Sequence, residues 1–213
     1  ALAVRERVHL QVFVIAAFTY LFLANSWLGD DAYITFRVVW NFLNGYGPVF
    51  NPGERVQAYT HPLWMLVLSA AHGVTREFFF TALAVSYGFA VVAVLCVVRS
   101  ARSVAGGALA AITLFSSKAF IDYTSSGLEN PLSFLLLALF YVRFCRLGGQ
   151  PRDALNVEPR QLGVFGLLAG LAFVNRMDSV LLYALPLAWL AFRVRRRREH
   201  LVIRQVGNAG QHV

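Results

Sequence analysis

Two adjacent carboxylates, Asp30 and Asp31, stand immediately after a long apolar run and open a segment rich in groups that do chemistry. Arg37 and Asn41 follow on one helical face, then Arg55 and His61, and much further along come Glu129, Arg176 and Asp178. Carboxylates of this kind take a proton from a hydroxyl or hold a divalent cation, and guanidinium groups grip phosphate by paired hydrogen bonds. Each residue also has a plainer role. One aspartate caps a helix, Arg37 balances Asp30, His61 is a polar residue at an interface, Glu129 caps a helix, and Arg176 pairs locally with Asp178. Desolvated carboxylates at the exit of a membrane span are costly, which favours a working role for at least one of the aspartates.

The elements that position these residues are apolar helices. Hydrophobic residues make up 58% of the chain and charged residues only 14%, with a mean hydropathy of +0.58. A soluble domain of 213 residues alternates apolar and polar faces, whereas here whole stretches carry almost no charge, so lipid is the solvent for most of the chain. The net charge of +8 does not point to nucleic acid. The arginines flank apolar runs, at Arg5 and Arg7, Arg99 and Arg102, Arg143, Arg146 and Arg152, and the block 193–198. That is the pattern of cytoplasmic helix ends rather than of a basic groove. Cys96 and Cys145 lie in or at the end of apolar runs, with neither disulfide nor metal spacing.

At about 20 residues per crossing, spans are expected near 8–28, 78–98, 103–121, 131–146, 161–175 and 178–193, six in all, forming an all-α polytopic membrane bundle. The first reads as an uncleaved signal anchor. With the amino terminus inside, every basic cluster falls on the inner side. The apolar segment from Thr60 to Val74 breaks this agreement if counted as a span, and as a helix it reaches only ~22 Å. It is therefore expected along the outer interface, with Trp64 as an anchor. The outer segments then carry Asp30, Asp31, Glu54, Glu77, Asp122, Glu129 and Asp178, and the basic side keeps Glu6, Asp153, Glu158 and Glu199. Gly163, Gly166 and Gly170 recur along the fifth span and predict close helix packing. The module is expected over residues 1–200, with an outer loop over 29–77 and a polar tail over 201–213.

A loop of this length between two spans requires structure or a task. Asp30 and Asp31 predict a cap for a helix over 32–43, which Gly45 terminates in the left-handed region. Phe36, Trp40 and Leu43 form its expected apolar stripe, with Tyr33 at the start, while Arg37, Asn41 and Asn44 share the polar face with Asp30. Pro52-Gly53 predicts a type II turn that folds the chain back. Pro62 suits the first turn of the next helix, which delivers His61 close to the acidic pair. Glu129 is expected at the water boundary before Pro131, and Asn175-Arg176-Met177-Asp178 as a turn between two spans.

The segments 29–37, 45–56 and 59–64 together resemble the amino-terminal part of GT-C membrane glycosyltransferases, in particular the actinobacterial terminal arabinofuranosyltransferase type. Segments 126–131 and 176–178 are similar to later landmarks of that group, so the likeness covers most of the chain. It implies a bacterial cytoplasmic-membrane enzyme that moves a sugar such as arabinofuranose from a polyprenyl-phosphate donor to an extracytoplasmic cell-envelope glycan. It further implies that Asp30 and Asp31 match the acidic motif that such enzymes use as acceptor-activating base or to hold a divalent cation. Glu129 is then a candidate second acid, while Arg37, Asn41, Arg55, His61, Arg176 and Asp178 are candidates for binding substrate. Family members are longer, with further spans and often a soluble domain, so a truncated, inactive fragment is one alternative reading. A transporter or flippase segment is another, but it places ionisable groups near the bilayer midplane, where this chain has almost none.

Overall fold

The computed structural model describes residues 2–54, 56–148 and 159–209, with side chains for 4–54, 56–148 and 160–195. Nine α-helices account for most of the described residues, and no strand occurs among them. They are α1 (Leu2–Ala24), α2 (Asp30–Leu43), α3 (Pro62–Thr75), α4 (Phe79–Ser100), α5 (Val104–Ser116), α6 (Lys118–Thr124), α7 (Asn130–Gly148), α8 (Pro159–Asn175) and α9 (Val180–Ala209). A 3-10 turn, Met177–Ser179, joins the last two.

Among the described residues, four segments are long and apolar enough to cross a bilayer: Val4–Ala24, Phe79–Ser100, Asn130–Gly148 and Met177–Arg195. The expected third crossing is not straight, because α5 and α6 meet at an angle of 75° and count as one crossing only as a broken pair. The break has a local cause. Ser117 leaves the helical region with ψ 106, and its hydroxyl accepts from the Phe120 amide, so it caps a new helix instead of continuing the old one. The expected fifth crossing, α8, has 17 residues and is a shorter apolar helix. Among the described residues, four or five candidate crossings therefore stand against the six expected. The helix α9 runs through the start of the expected polar tail as far as Ala209.

The bundle has chemically different ends. At one end, the Arg7 guanidinium donates to the carbonyls of Ala101 and Arg102, and Arg99 donates to the Gln11 side chain. At the other, Trp27 Nε1 donates to the Asp122 carbonyl, Gly29 N to Ser126, and Ser125 Oγ to Asn25. The broken α5–α6 pair thus starts at the basic end and finishes at the acidic one. Helix α3 begins just after His61, which lies beside Glu129, and ends where Glu77 caps α4, accepting from the Phe79 and Phe80 amides. Both of its ends belong to the acidic end.

Two apolar clusters hold the bundle. Phe18 is wholly buried and packs with Tyr87, Phe115 and Phe120, joining α1, α4, α5 and α6. The larger cluster joins α2, α3, α4, α7, α8 and α9 around Trp64 and Phe140. Trp64 is fully buried and donates its indole N–H to the Gly127 carbonyl at 3.0 Å, so it is a core residue and not an interfacial anchor. Pro186 leaves the Leu182 carbonyl without its intrahelical donor, and the Tyr141 hydroxyl supplies the missing bond at 2.6 Å. The glycine stripe behaves differently from expectation. A Cβ built at Gly163, Gly166 or Gly170 meets nothing within 4 Å, so these glycines bring no described helix into close contact.

Candidate functional site

The helix α2 starts earlier than its capping pattern predicts. Gly29 is the N-cap, and Asp30 and Asp31 already lie within the first turn, where negative charge suits the exposed amides. Asp30 Oδ1 accepts from the Asp31 amide at 3.0 Å, which occupies Asp30 locally. The buried stripe of α2 is Ala32, Thr35, Phe36, Val38, Val39 and Asn41, whereas Tyr33, Trp40 and Leu43 are exposed. The stripe is rotated because two polar residues face inward, each with a partner. The left-handed Gly45 and the bond from Tyr46 N to the Asn41 carbonyl end the helix as expected.

Arg37 and Asn41 serve the loop that follows. Asn41 Nδ2 donates to the Val49 and Phe50 carbonyls, each at 2.9 Å. Arg37 donates to the Phe50 carbonyl and to Asn51 Oδ1, and its guanidinium lies 4.5 Å over the Phe50 ring. Gly53 at φ 89 and the bond from Glu54 N to the Asn51 carbonyl form the turn expected at Pro52-Gly53. Arg55 lies outside the described residues.

The clamped loop returns the chain to His61, the N-cap position of α3, with Pro62 at the first helical position. His61 is 7% exposed and sits between α2 and the start of α7. Its Nε2 is 2.8 Å from Thr35 Oγ1, and its Nδ1 is 3.3 Å from Glu129 Oε2. Burial pushes the ring below its ordinary pKa, and Arg176 adds to this, against the pull of Glu129 and Asp31 in the other direction. The neutral ring that satisfies both neighbours carries its proton on Nδ1 toward Glu129 and accepts the Thr35 hydroxyl at Nε2.

Glu129, at 7% exposure, is not at the water boundary. Its carboxylate turns away from α7 toward His61 and toward Arg176, whose Nη1 lies 3.5 Å from Oε1. Arg176 Nε is shared between the two Asp178 oxygens at 2.8 and 3.1 Å, and this hydrogen bond above all holds the guanidinium more firmly protonated than usual. The local Arg176–Asp178 pair thus forms, and Arg176 still reaches Glu129 and Asn130. Beneath it, the wholly buried Asn175 donates to the Glu129 carbonyl and to Ser133 Oγ, fixing the end of α8 against the start of α7.

Asp31, Thr35, His61, Glu129, Asn130 and Arg176 line one cavity of about 820 Å³, together with Gln57, Tyr59 and Tyr123. Four separate chain segments contribute, each at the end of a helix. Of the residues singled out in the sequence, Asp31, His61, Glu129 and Arg176 share this cavity, and Asp178 is tied to it through Arg176. Asp30, Arg37 and Asn41 do not line it. Thr35 and Asn175 carry no signal in the sequence beyond being polar residues within apolar helices. Among the described residues, no three of His, Cys, Asp and Glu gather as a ligand set for a cation, and Glu129 is already committed to Arg176 and His61. The arrangement can accept a proton at Asp31, hold one between Thr35, His61 and Glu129, and offer a cation at Arg176.

The chain is similar over 193 residues, 83% of its length, to a protein of Mycobacterium tuberculosis named terminal beta-(1->2)-arabinofuranosyltransferase, at 28% identity. Over 121 residues, 54% of its length, it is 33% identical to a Corynebacterium glutamicum protein of the same name. These matches support a relationship to arabinofuranosyltransferases. The matched regions span 30% and 18% of those relatives. No family model matches the chain, and no solved structure matches it.

Proposed function

We propose that this chain forms the amino-terminal, site-bearing part of a GT-C membrane glycosyltransferase that transfers arabinofuranose from a polyprenyl-phosphate donor to a cell-envelope glycan. The observation that carries the reading is the single cavity in which Asp31, His61, Glu129 and Arg176 meet at the acidic end of an apolar helical bundle. Sequence similarity to two proteins named as arabinofuranosyltransferases supports arabinofuranose as the sugar. The arginine-flanked helix ends support an active face outside the cytoplasmic membrane.

In the proposed reaction the acceptor hydroxyl gives its proton to Asp31 as its oxygen attacks the anomeric carbon of the donor. The bond from that carbon to the phosphate oxygen breaks, and polyprenyl phosphate leaves with the bonding electrons. Asp31 suits the base because it is exposed in the cavity and has no ion pair among the described residues. Arg176 faces the departing phosphate, and Glu129 and Asp178 fix the orientation of its guanidinium. His61, neutral and held by Thr35, orients Glu129 and leaves Arg176 as the cation among the described lining residues.

The test is a transfer assay on the full-length protein with labelled polyprenyl-phosphate sugars and an arabinan oligosaccharide acceptor. Transfer from the arabinofuranosyl donor, with other sugars poorer, is the expected result. Absence of turnover from every polyprenyl-phosphate donor would sink the reading.

A further inference from the structure

The basic end of the bundle contains a cavity of about 320 Å³ between α7 and α8, far from the acidic site. Arg143 and Arg146 from the last turns of α7 and Arg160 from the first turn of α8 converge on it, over walls of Leu147, Val164 and Phe165. Flanking arginines alone call for no cavity, since each extends separately into water or headgroups. Here three arginines from two helices line one space, and no carboxylate of the described residues lines it. Arg143 donates to the Leu139 carbonyl of its own helix, and no ion pair among the described residues neutralises any of the three. Like charges held together over apolar walls repel unless an anion lies among them.

We propose that this cavity binds the phosphate of an anionic membrane lipid. Guanidinium forks match phosphate oxygens by paired, charge-assisted hydrogen bonds, and several arginines can share one phosphodiester. The apolar part of the site selects a lipid over free phosphate. Val164 in the wall and Leu167 one turn further along α8 are exposed, at 36% and 62%, and continue from the cavity toward the middle of the helix. An acyl chain lies along that strip while its headgroup is gripped at the helix ends, where the headgroups of a leaflet stand. Arg146 also walls a second cavity with Arg102 and Tyr141, so the basic lining extends from α8 across α7 to the end of α4.

The experiment uses the full-length protein in detergent, with bound lipid counted by native mass spectrometry and thermal stability followed in parallel. Three probes are added separately: phosphatidylglycerol, phosphatidylcholine with the same acyl chains, and inorganic phosphate. Phosphatidylglycerol is expected to bind and to raise the melting temperature, and the other two are not. Arg146→Gln and Arg160→Gln are each expected to weaken phosphatidylglycerol binding roughly tenfold. Arg5→Gln, at the same end but outside the cavity, is expected to leave it unchanged. Equal binding of phosphatidylcholine, equal protection by inorganic phosphate, or the same loss in Arg5→Gln as in the cavity variants would each overturn the proposal. None of these readouts depends on glycosyl transfer, so the two readings stand or fall separately.

Discussion

His61 Nδ1 stands 3.3 Å from Glu129 Oε2, with each side chain only 9% exposed, so a loop residue and a helix-start residue far apart in sequence form the buried centre of the site. Breaking a buried charged pair by removing one partner costs about 3–5 kcal/mol when the other stays buried. Arg176 is 47% exposed and can turn to water once Glu129 is gone, so Glu129→Ala is expected to cost about 2 kcal/mol rather than the full amount. Asp178 is 61% exposed, and Asp178→Ala should cost less than about 1 kcal/mol. Chemical denaturation in detergent measures both, and equal losses would contradict the assigned burial.

The buried ring also sets a pH dependence. His61 titrates below its ordinary value of 6.5 in the folded chain, so between the two values the unfolded chain binds the extra proton. Stability therefore rises with pH through the window just below 6.5 and is fully present above it. Melting temperatures recorded from acid to neutral pH should show this slope, and His61→Gln should flatten it. A slope of opposite sign would mean that Glu129 outweighs burial.

Asp30 and Asp31 are neighbours with different surroundings, and the transfer assay should separate them. Asp31→Asn is expected to lower the turnover of the full-length enzyme by about a hundredfold or more, the range for loss of a positioned base. Asp30→Asn should be milder, because its Oδ1 bond to the Asp31 amide can be made equally by an amide oxygen. The reverse order of severity would move the base to Asp30.

Much of this architecture is legible in the sequence, and the remainder depends on contacts that no local pattern carries. Apolar length and arginine flanks predict an all-helical bundle with two unlike ends, because both follow from the solvent. Gly45, Pro52-Gly53 and Pro62 mark their turns and helix start correctly, since backbone conformation is set within a few residues. Burial of Glu129 and Trp64 was not legible: each depends on a partner from another segment, His61 for one and the Gly127 carbonyl for the other. The inward turn of Asn41 likewise requires the Val49 and Phe50 carbonyls. The bend at Ser117 did leave a signal, the polar trio Ser116-Ser117-Lys118 inside an apolar run. The glycine spacing on α8 predicts packing that no described helix makes.

Gly127 gives a sharp contrast among the glycines. At φ 77, a Cβ there would stand 2.7 Å from Leu28 Cδ2 and 2.9 Å from Ala32 Cβ. Gly53→Ala, at φ 89 with nothing within 4 Å, should cost only the conformational strain of about 1 kcal/mol. Gly127→Ala adds an overpacking penalty of about 1–3 kcal/mol and should show a clearly lower melting temperature than Gly53→Ala. Equal effects would mean that the segment around Gly127 yields without cost.

The link between α6 and α7 offers its neighbours carbonyl groups: Ser126 accepts from the Gly29 amide and Gly127 from the Trp64 indole. A carbonyl comes with every residue type, so the spacing between α2 and α3 is held by a scaffold that side-chain changes at position 126 leave in place. The cavity lining can therefore change while its frame stays constant, provided that glycine is kept at position 127.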